Sequence, residues 1–241
     1  ISNTRNRQSG TQGTNWVEHG RAEMELSRTP PLLLITRILA LPRAAASTDG
    51  AGELQERSAP SSSAPNTSRT ALIALYEAGS GARWYRRENW LSGDPCDRQS
   101  PWFGVGCAGA TVEAINLGSN GLEGVLPSEL ALLTELSVLK LYNGSLSGTV
   151  SSELGQLSKL SVLIFNQSSL SGGIPSQIGW LGQLLHLDLC QTSMAGSVPS
   201  QIGQLGQLSF LDLDTTSVSG SLPSQMGRLG KLSQLYLHTT S

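Results

Sequence analysis

The side chains best suited to chemistry lie late in the chain, where Asp188, Asp212 and Asp214 recur near His186 and His238. Such a set could hold a calcium ion or supply the acid and base of a glycosidase. If these residues lie on adjacent strands of one sheet, however, two solvated carboxylates about 4.8 Å apart repel by only about 1 kcal/mol and need no bound partner. A flat sheet also does not surround an ion or form a cleft. We therefore predict no enzyme activity, no metal site and no cofactor.

The three cysteines are a second set with chemical potential. Cys96 and Cys107 have no further Cys or His pair near them at the spacing of metal ligands, which disfavours a metal site. Cys190 is the odd member, and the sequence leaves open whether it is a plain free thiol or an intermolecular link. The charge balance does not indicate a nucleic-acid partner, because 16 basic residues against 18 acidic ones give no basic surface for nucleic acid.

All of the candidate residues except the first two cysteines belong to a repeat of 24 residues in the second half of the chain. One apolar position marks it, at Leu117, Leu141, Phe165, Leu189, Leu213 and Leu237. In one copy Leu187 and Leu189 alternate with His186 and Asp188, which predicts a short strand with its leucines inward. Glycine and proline then recur in the return segment and exclude a continuous helix or hairpin there. The pattern predicts a solenoid.

Further apolar columns recur at the same period. They are Leu122, Leu146, Leu170, Met194 and Val218; Leu126, Val150, Ile174, Val198 and Leu222; and Leu130, Leu154, Ile178, Ile202 and Met226. Substitutions within a column stay apolar and similar in volume, as a close-packed interior tolerates. Because one repeat cannot bury its own leucines, neighbouring repeats must stack and share one core.

These copies resemble the plant-type leucine-rich repeats of receptor-like kinases, receptor-like proteins and polygalacturonase inhibitors, whose pattern is LxxLxxLxLxxNxLxGxIPxxLGx. The segments Gly124-Val125-Leu126-Pro127, Gly173-Ile174-Pro175, Gly196-Ser197-Val198-Pro199 and Gly220-Ser221-Leu222-Pro223 fall in step with it. The resemblance implies an α/β fold: a leucine-rich repeat solenoid with one parallel β-sheet on the concave face, an irregular or 3₁₀ convex side, and an amino-terminal helical cap.

One departure from the family pattern recurs at its inward asparagine. Only Asn120 matches, and the later copies carry Gly144, Ser168, Thr192, Thr216 and Thr240. A hydroxyl can replace part of the ladder of hydrogen bonds that the asparagine forms, whereas glycine supplies none. The departure makes an algal or protist relative at least as plausible as a land-plant source.

The amino-terminal part of the chain divides by composition. Residues 1–23 are polar and aperiodic and are expected to be a disordered or untranslated extension. Residues 24–46 resemble a secretory signal peptide ending in Ala44-Ala45-Ala46, although Arg37 within the apolar run leaves a short amphipathic or buried segment as the alternative. Residues 47–67 are expected to be a flexible linker.

Residues 68–111 are similar to the amino-terminal cap of secreted leucine-rich repeat proteins, in which two cysteines close a loop and tryptophans cover the end of the core. The resemblance implies a Cys96–Cys107 disulfide, and the apolar pattern predicts a short helix with Ser68 as its cap and Gly79 as its stop. The solenoid itself is expected to span residues 112–241, with about six repeats and the last one incomplete.

The outward positions of the strands are variable, as those of a recognition face should be. We predict ligand contacts from Lys140, Tyr142, Ile164, His186, Asp188, Phe210, Asp212, Asp214, Tyr236 and His238. Three sequons predict glycosylation at Asn66, Asn143 and Asn166, and glycans at the last two would narrow the face.

The functional hypothesis is an extracellular recognition module that binds a peptide, glycan or protein through its concave face. The chain would be secreted, or at the cell surface if it is a fragment of a receptor, with no nucleic acid partner and no membrane span. Two alternatives stay open: a structural or cell-wall protein that assembles through its repeats, and a secreted hydrolase inhibitor. The last repeat stops before its glycine and proline return, which predicts self-association through an uncapped end.

Overall fold

The computed structural model of the chain describes residues 67–237. The expected extension, signal peptide and nearly all of the linker lie outside the described residues, as do Asn66 and His238. Within residues 67–237 the chain forms one α-helix, twelve short strands and a series of 3₁₀ turns.

The amino-terminal helix α1 (Thr67–Ala78) and an aromatic cluster cover one end of the core. Helix α1 buries Ala71, Leu72 and Leu75, and the Gly79 N–H donates to the Leu75 carbonyl at 2.9 Å where the helix ends. The cluster consists of Tyr76, Trp84, Trp90 and Trp102, with neighbouring ring centroids 4.9–5.8 Å apart. All three indole N–H groups donate to backbone carbonyls at 2.7–2.9 Å, so the rings are buried without an unsatisfied donor.

The strands are β1 (Val105–Ala108), β2 (Thr111–Asn116), β3 (Glu123–Val125), β4 (Val138–Lys140), β5 (Ser145–Thr149), β6 (Val162–Ile164), β7 (Ser169–Gly172), β8 (His186–Asp188), β9 (Ser193–Gly196), β10 (Phe210–Asp212), β11 (Ser217–Val218) and β12 (Gln234–Tyr236). Seven of them form one sheet in the order β1-β2-β4-β6-β8-β10-β12. Strand β1 pairs antiparallel with β2, and the others are parallel. The parallel sheet expected from the sequence is thus confirmed, with one antiparallel strand added by the cap.

A second sheet, which the sequence did not predict, forms on the return side of each repeat. It contains five parallel strands in the order β11-β9-β7-β5-β3. Gly124 shows why glycine recurs in it: its φ is +102°, and a Cβ there would lie 2.1 Å from the Ala78 carbonyl oxygen. Glycine therefore permits both the backbone conformation and the close approach of the helical cap.

The remaining side of each repeat is a 3₁₀ turn, and the core runs between these turns and the sheets. The turns are Gly81–Arg83 in the cap, then Ser128–Leu132, Ser152–Gln156, Ser176–Trp180, Ser200–Gln204 and Ser224–Arg228. The predicted inward columns are buried except at the last described repeat, where Leu222 is 49% exposed and Met226 is partly buried. Within residues 67–237 no further repeat covers these two side chains, unlike their counterparts in the earlier repeats.

The polar side chains at the family's inward asparagine position form hydrogen bonds with backbone groups, except at Gly144, which has no side chain. Asn120 accepts the Arg86 N–H and donates to the Arg86 carbonyl, both at 2.8 Å, which ties the cap to the first repeat. The hydroxyls of Ser168, Thr192 and Thr216 each donate to the carbonyl three residues earlier, at 2.7–2.8 Å. The hydroxyls thus act within their own turn and replace only part of what an asparagine would supply.

Candidate functional site

The registers of the seven-stranded sheet place the predicted contact residues in straight columns across its outward face. The central column contains Asn116, Lys140, Ile164, Asp188, Asp212 and Tyr236. The column beside it contains Ala114, Val138, Val162, His186, Phe210 and Gln234. The apolar residues between the two columns are buried from Ile115 on β2 to Leu211 on β10, as the alternation of side chains along a strand predicts, whereas Leu235 on β12 is 41% exposed.

An aromatic row, consisting of His186, Phe210 and Tyr236, crosses three adjacent repeats. The rings of His186 and Phe210 stack with centroids 4.0 Å apart and planes 4° apart. Tyr236 continues the row, with its ring 5.7 Å from that of Phe210. Burial, with the positive charge of Lys140 as a second cause, lowers the pKa of His186 to about 4. The imidazole is therefore neutral near pH 7.

An acidic cluster, consisting of Asp188, Cys190 and Asp212, lies on the same strands as the aromatic row. One ligand-type atom from each residue lies within 4.8 Å of the others. Asp188 is only 8% exposed; its carboxylate accepts the Asn166 side-chain N–H at 2.7 Å and the Cys190 backbone N–H at 3.1 Å. The expectation that these carboxylates are well solvated is therefore wrong for Asp188, because the neighbouring side chains enclose it.

The electrostatics of the acidic cluster follow from this enclosure. Burial raises the pKa of Asp188, although the hydrogen bonds from Cys190 and Asn166 oppose the change. Burial also raises the pKa of Asp212 to about 6, and the charges of Asp188 and Asp214 add to that effect. Burial raises the pKa of the Cys190 thiol to about 12, with the Asp188 charge as a second cause. The cluster thus holds negative charge at a cost in free energy.

A resident metal ion does not fit the residues present. Calcium takes six to eight oxygen ligands, and the cluster offers two carboxylates on one side only. A structural zinc ion takes four ligands, whereas the cluster offers three ligand-type atoms. The cluster is better suited to a ligand that brings several hydrogen-bond donors.

The other end of the face carries the opposite charge. Lys140 lies two strands from Asp188 in the central column, and burial lowers its pKa. The ring of Tyr142 covers Gly118, where a Cβ would lie 2.2 Å from the ring, so glycine makes room for the tyrosine. The face is therefore polarised along the solenoid, from Lys140 towards Asp188, Asp212 and Asp214.

Two residues acquire roles that sequence reasoning missed. Asn166 was predicted as a glycosylation site at the edge of the face, yet its side-chain amide donates to the Asp188 carboxylate, and its Oδ1 is buried with no donor within residues 67–237. Cys190 was predicted as a free thiol or an intermolecular link on the variable side of its strand, yet its backbone and thiol contact Asp188. Their positions in the column next to Asp188 were the available indication. Asn143, by contrast, is exposed and donates to Ser119 at 3.0 Å.

The cysteines pair as the resemblance implied. Cys96 and Cys107 form a disulfide with their Cα atoms 5.7 Å apart, and Cys190 is free and half-buried. Within residues 67–237 there is no helix with the length and apolarity that a bilayer crossing requires.

Comparison with known proteins relates this geometry to one group. No protein-family model matches the chain. A chain of the BIR3–SERK2 complex from Arabidopsis thaliana is 28% identical with a TM-score of 0.56, over 68% of this chain and 92% of that one. The LRR ectodomain of the receptor kinase SOBIR1 from Arabidopsis thaliana is 25% identical with a TM-score of 0.58, over 68% and 86%.

A third similar structure extends far beyond the matched region. It is the LRR ectodomain of the plant membrane receptor kinase GASSHO1/SCHENGEN3 from Arabidopsis thaliana in complex with CASPARIAN STRIP INTEGRITY FACTOR 2. It is 27% identical with a TM-score of 0.62, over 70% of this chain and 20% of that chain. Together with the 24-residue register, these likenesses identify the chain as a plant-type leucine-rich repeat protein.

Proposed function

We propose that the chain is an extracellular recognition module that binds a peptide or protein through the outward face of its seven-stranded sheet. The observation that carries the proposal is the contrast between the two sides of the strands. Inward positions are apolar and, before the last described repeat, buried, whereas outward positions combine an aromatic row, an acidic cluster and a lysine. A sheet selected only for packing has no need of such an arrangement.

Two further observations support the proposal. The similar GASSHO1/SCHENGEN3 ectodomain is described in complex with CASPARIAN STRIP INTEGRITY FACTOR 2, and the BIR3–SERK2 structure is itself a complex. The Cys96–Cys107 disulfide is of the kind that persists in oxidising compartments outside the cytosol. Secretion through residues 24–46, glycosylation, glycan binding and self-association stay predictions.

The area of the face favours an extended ligand. Six parallel strands at about 4.8 Å spacing, each with a few outward residues, present roughly 400 Å². A stable protein interface takes about 800 Å² from each partner. A peptide laid along the columns fits the face alone, whereas a globular partner would need the lateral surfaces as well.

The test compares two surface variants in binding to a library of secreted peptides. The face variant carries Lys140→Ala, Asp212→Asn and Tyr236→Ala, and it spares Asp188 because that residue is buried. The control variant carries Trp180→Ala, since this side chain is 59% exposed at the end of a convex 3₁₀ turn. We expect the face variant to lose peptide binding and the control to keep it. Equal binding by both variants would exclude this face as the recognition surface.

A further inference from the structure

Strands β8 and β10 each carry one residue of the aromatic row, followed two positions later by one aspartate of the acidic cluster. Strand β8 carries His186 and Asp188, and strand β10 carries Phe210 and Asp212, with the two residues of each pair on the same face. The Cα atoms of the two residues in each pair are thus about 6.6 Å apart along the strand, twice the rise per residue. The aromatic rings therefore lie beside the two carboxylates on the same face of the sheet.

Asp188 and Asp212 belong to no ion pair within the described part of the chain. The ion pairs within residues 67–237 join Arg83 to Glu123, Arg86 to Glu88 and Lys159 to Glu135, and none includes Asp188 or Asp212. The positive charge of Lys140 acts on His186, and no cation is among the causes of the pKa shifts of Asp188 and Asp212. Two carboxylates less than 5 Å apart in a partly buried site gain from any cation that reaches them.

Most of the polar groups in the site are hydrogen-bond acceptors. The Asp188 and Asp212 carboxylates are acceptors, and Asn166 Oδ1 is a further acceptor that is buried without a donor within the described range. The Cys190 thiol is a weak donor whose raised pKa keeps it neutral. A complementary ligand group is cationic, rich in donors and free of acceptors, and it is attached to an apolar stem that packs on the rings.

An arginine side chain has these properties. The guanidinium carries five N–H donors and no acceptor, and it is less strongly hydrated than an ammonium group. Its methylene stem packs along apolar surface while the charged head reaches past it. The aromatic rings add attraction for a cation near them, since His186 is neutral and does not repel it.

We propose that the aromatic row and the acidic cluster together form a subsite for an arginine side chain of an extended peptide ligand. The guanidinium pairs directly with Asp212, which is the more exposed carboxylate, and Asp188 adds a second negative charge beside it. The stem lies along the edges of Phe210 and Tyr236. This subsite rests on the proposed recognition function and specifies one chemical group of the ligand.

The polarity of the face sets the direction of such a peptide. Lys140 lies two strands before Asp188, so an acidic or carboxylate group of the ligand would lie towards the amino-terminal repeats. The arginine would lie over β8, β10 and β12.

The test uses four peptides of the form acetyl-Gly-Gly-X-Gly-Gly-amide, with X as arginine, lysine, citrulline or leucine. Citrulline keeps the shape of arginine and removes its charge. Binding to the full chain is followed by NMR through the ring resonances of His186, Phe210 and Tyr236. We expect saturable shifts with arginine, weaker shifts with lysine, and no saturable shifts with citrulline or leucine.

Two variants of the chain locate the effect. Asp212→Asn keeps an Oδ1 acceptor for the Asp214 N–H, which donates to Asp212 at 2.8 Å, so the local turn is retained. Glu153→Gln removes the same charge from an exposed position on a convex 3₁₀ turn. We expect the arginine peptide to bind about tenfold more weakly to the first variant, a loss of about 1.4 kcal/mol, and equally well to the second.

The outcomes separate the subsite from the proposed function. If the citrulline or leucine peptide shifts the ring resonances as strongly as the arginine peptide does, the face binds peptides regardless of their charge. The subsite proposal is then wrong, while the proposed recognition function stands. Saturable shifts at the acidic cluster with calcium chloride alone would assign it to a metal ion and overturn the subsite. Absence of any arginine-dependent shift would also overturn it, and this comparison needs no variant to fold.

Discussion

A glycine in the 3₁₀ turns offers a sharp test of how closely the repeats stack. Gly179 is buried in the turn Ser176–Trp180. A Cβ at this position would lie 2.4 Å from the carbonyl oxygen of Gln201 and 2.7 Å from its Cβ, one repeat further along. Gly182, only three residues later, has no atom within 4 Å of such a Cβ. The two glycines therefore form a matched pair.

The structure sets the size of the expected effect. The overlap in Gly179→Ala is with backbone of the next repeat, which cannot rotate away, so the two repeats must separate. Overpacking of this kind costs about 1 to 3 kcal/mol. Gly182→Ala meets no atom and reduces the freedom of the unfolded chain, so it should be neutral or stabilise by as much as about 1 kcal/mol.

Urea unfolding followed by circular dichroism measures both variants, with the slope of the transition checked for cooperativity. In thermal unfolding the loss corresponds to about 2 to 4 °C for each kcal/mol in a chain of this size. If Gly179→Ala is as stable as Gly182→Ala, the repeats do not stack at the spacing described here, and the assignment of the turn glycine to close stacking is refuted.

Three further predictions follow from the site and the cap. Leu187→Ala should cost about 2 to 5 kcal/mol in urea unfolding, because Leu187 is fully buried, whereas Asp212→Asn should leave stability nearly unchanged; equal losses would mean that the two faces are reversed. An NMR titration should place the pKa of His186 at about 4, below its ordinary 6.5. Because the imidazole of His186 takes up a proton more readily in the unfolded chain than in the folded chain, a fall in pH from 6.5 towards 4 lowers stability. His186→Asn should therefore lessen this loss of stability. An ordinary pKa for His186 would contradict its burial. Iodoacetamide at pH 8 should modify Cys190 slowly in the folded chain and rapidly in urea, because burial raises the thiol pKa to about 12. Non-reducing peptide mapping that pairs Cys190 with Cys96 or Cys107 would refute the disulfide of the cap.

The inward half of the structure could be predicted because its cause is periodic. Leu146, Leu170 and Met194 occupy the same place in successive repeats and are fully buried, so each position is constrained by an apolar residue at the same place in the repeats on both sides. The column Leu126 to Leu222 follows the same rule until its last member, which has no following repeat to cover it within the described residues. Period alone therefore predicted the core and its register.

The second sheet and the turn chemistry were not predictable in the same way. Strands β9 and β11 contain four and two residues, which is too short for an alternating pattern to be recognised. The local hydrogen bonds of Ser168, Thr192 and Thr216 depend on a rotamer choice that the residue type does not decide. The pairing of these segments follows from the stacking of the repeats, which holds them in line.

The burial and the pKa values of the outward side chains could not be predicted, because each of these side chains has different neighbours. Alternation placed Asp188 on the exposed face correctly, but its burial depends on Asn166 in one repeat and Asp212 in the next. The pKa of an outward residue is accordingly a property of three repeats at once. A substitution that removes the Asn166 amide should raise the pKa of Asp188, 22 residues away in sequence, without altering the core that positions both. A solenoid can in this way alter what its face binds through changes at outward positions, because the inward columns hold the strands in register whatever the outward side chains are.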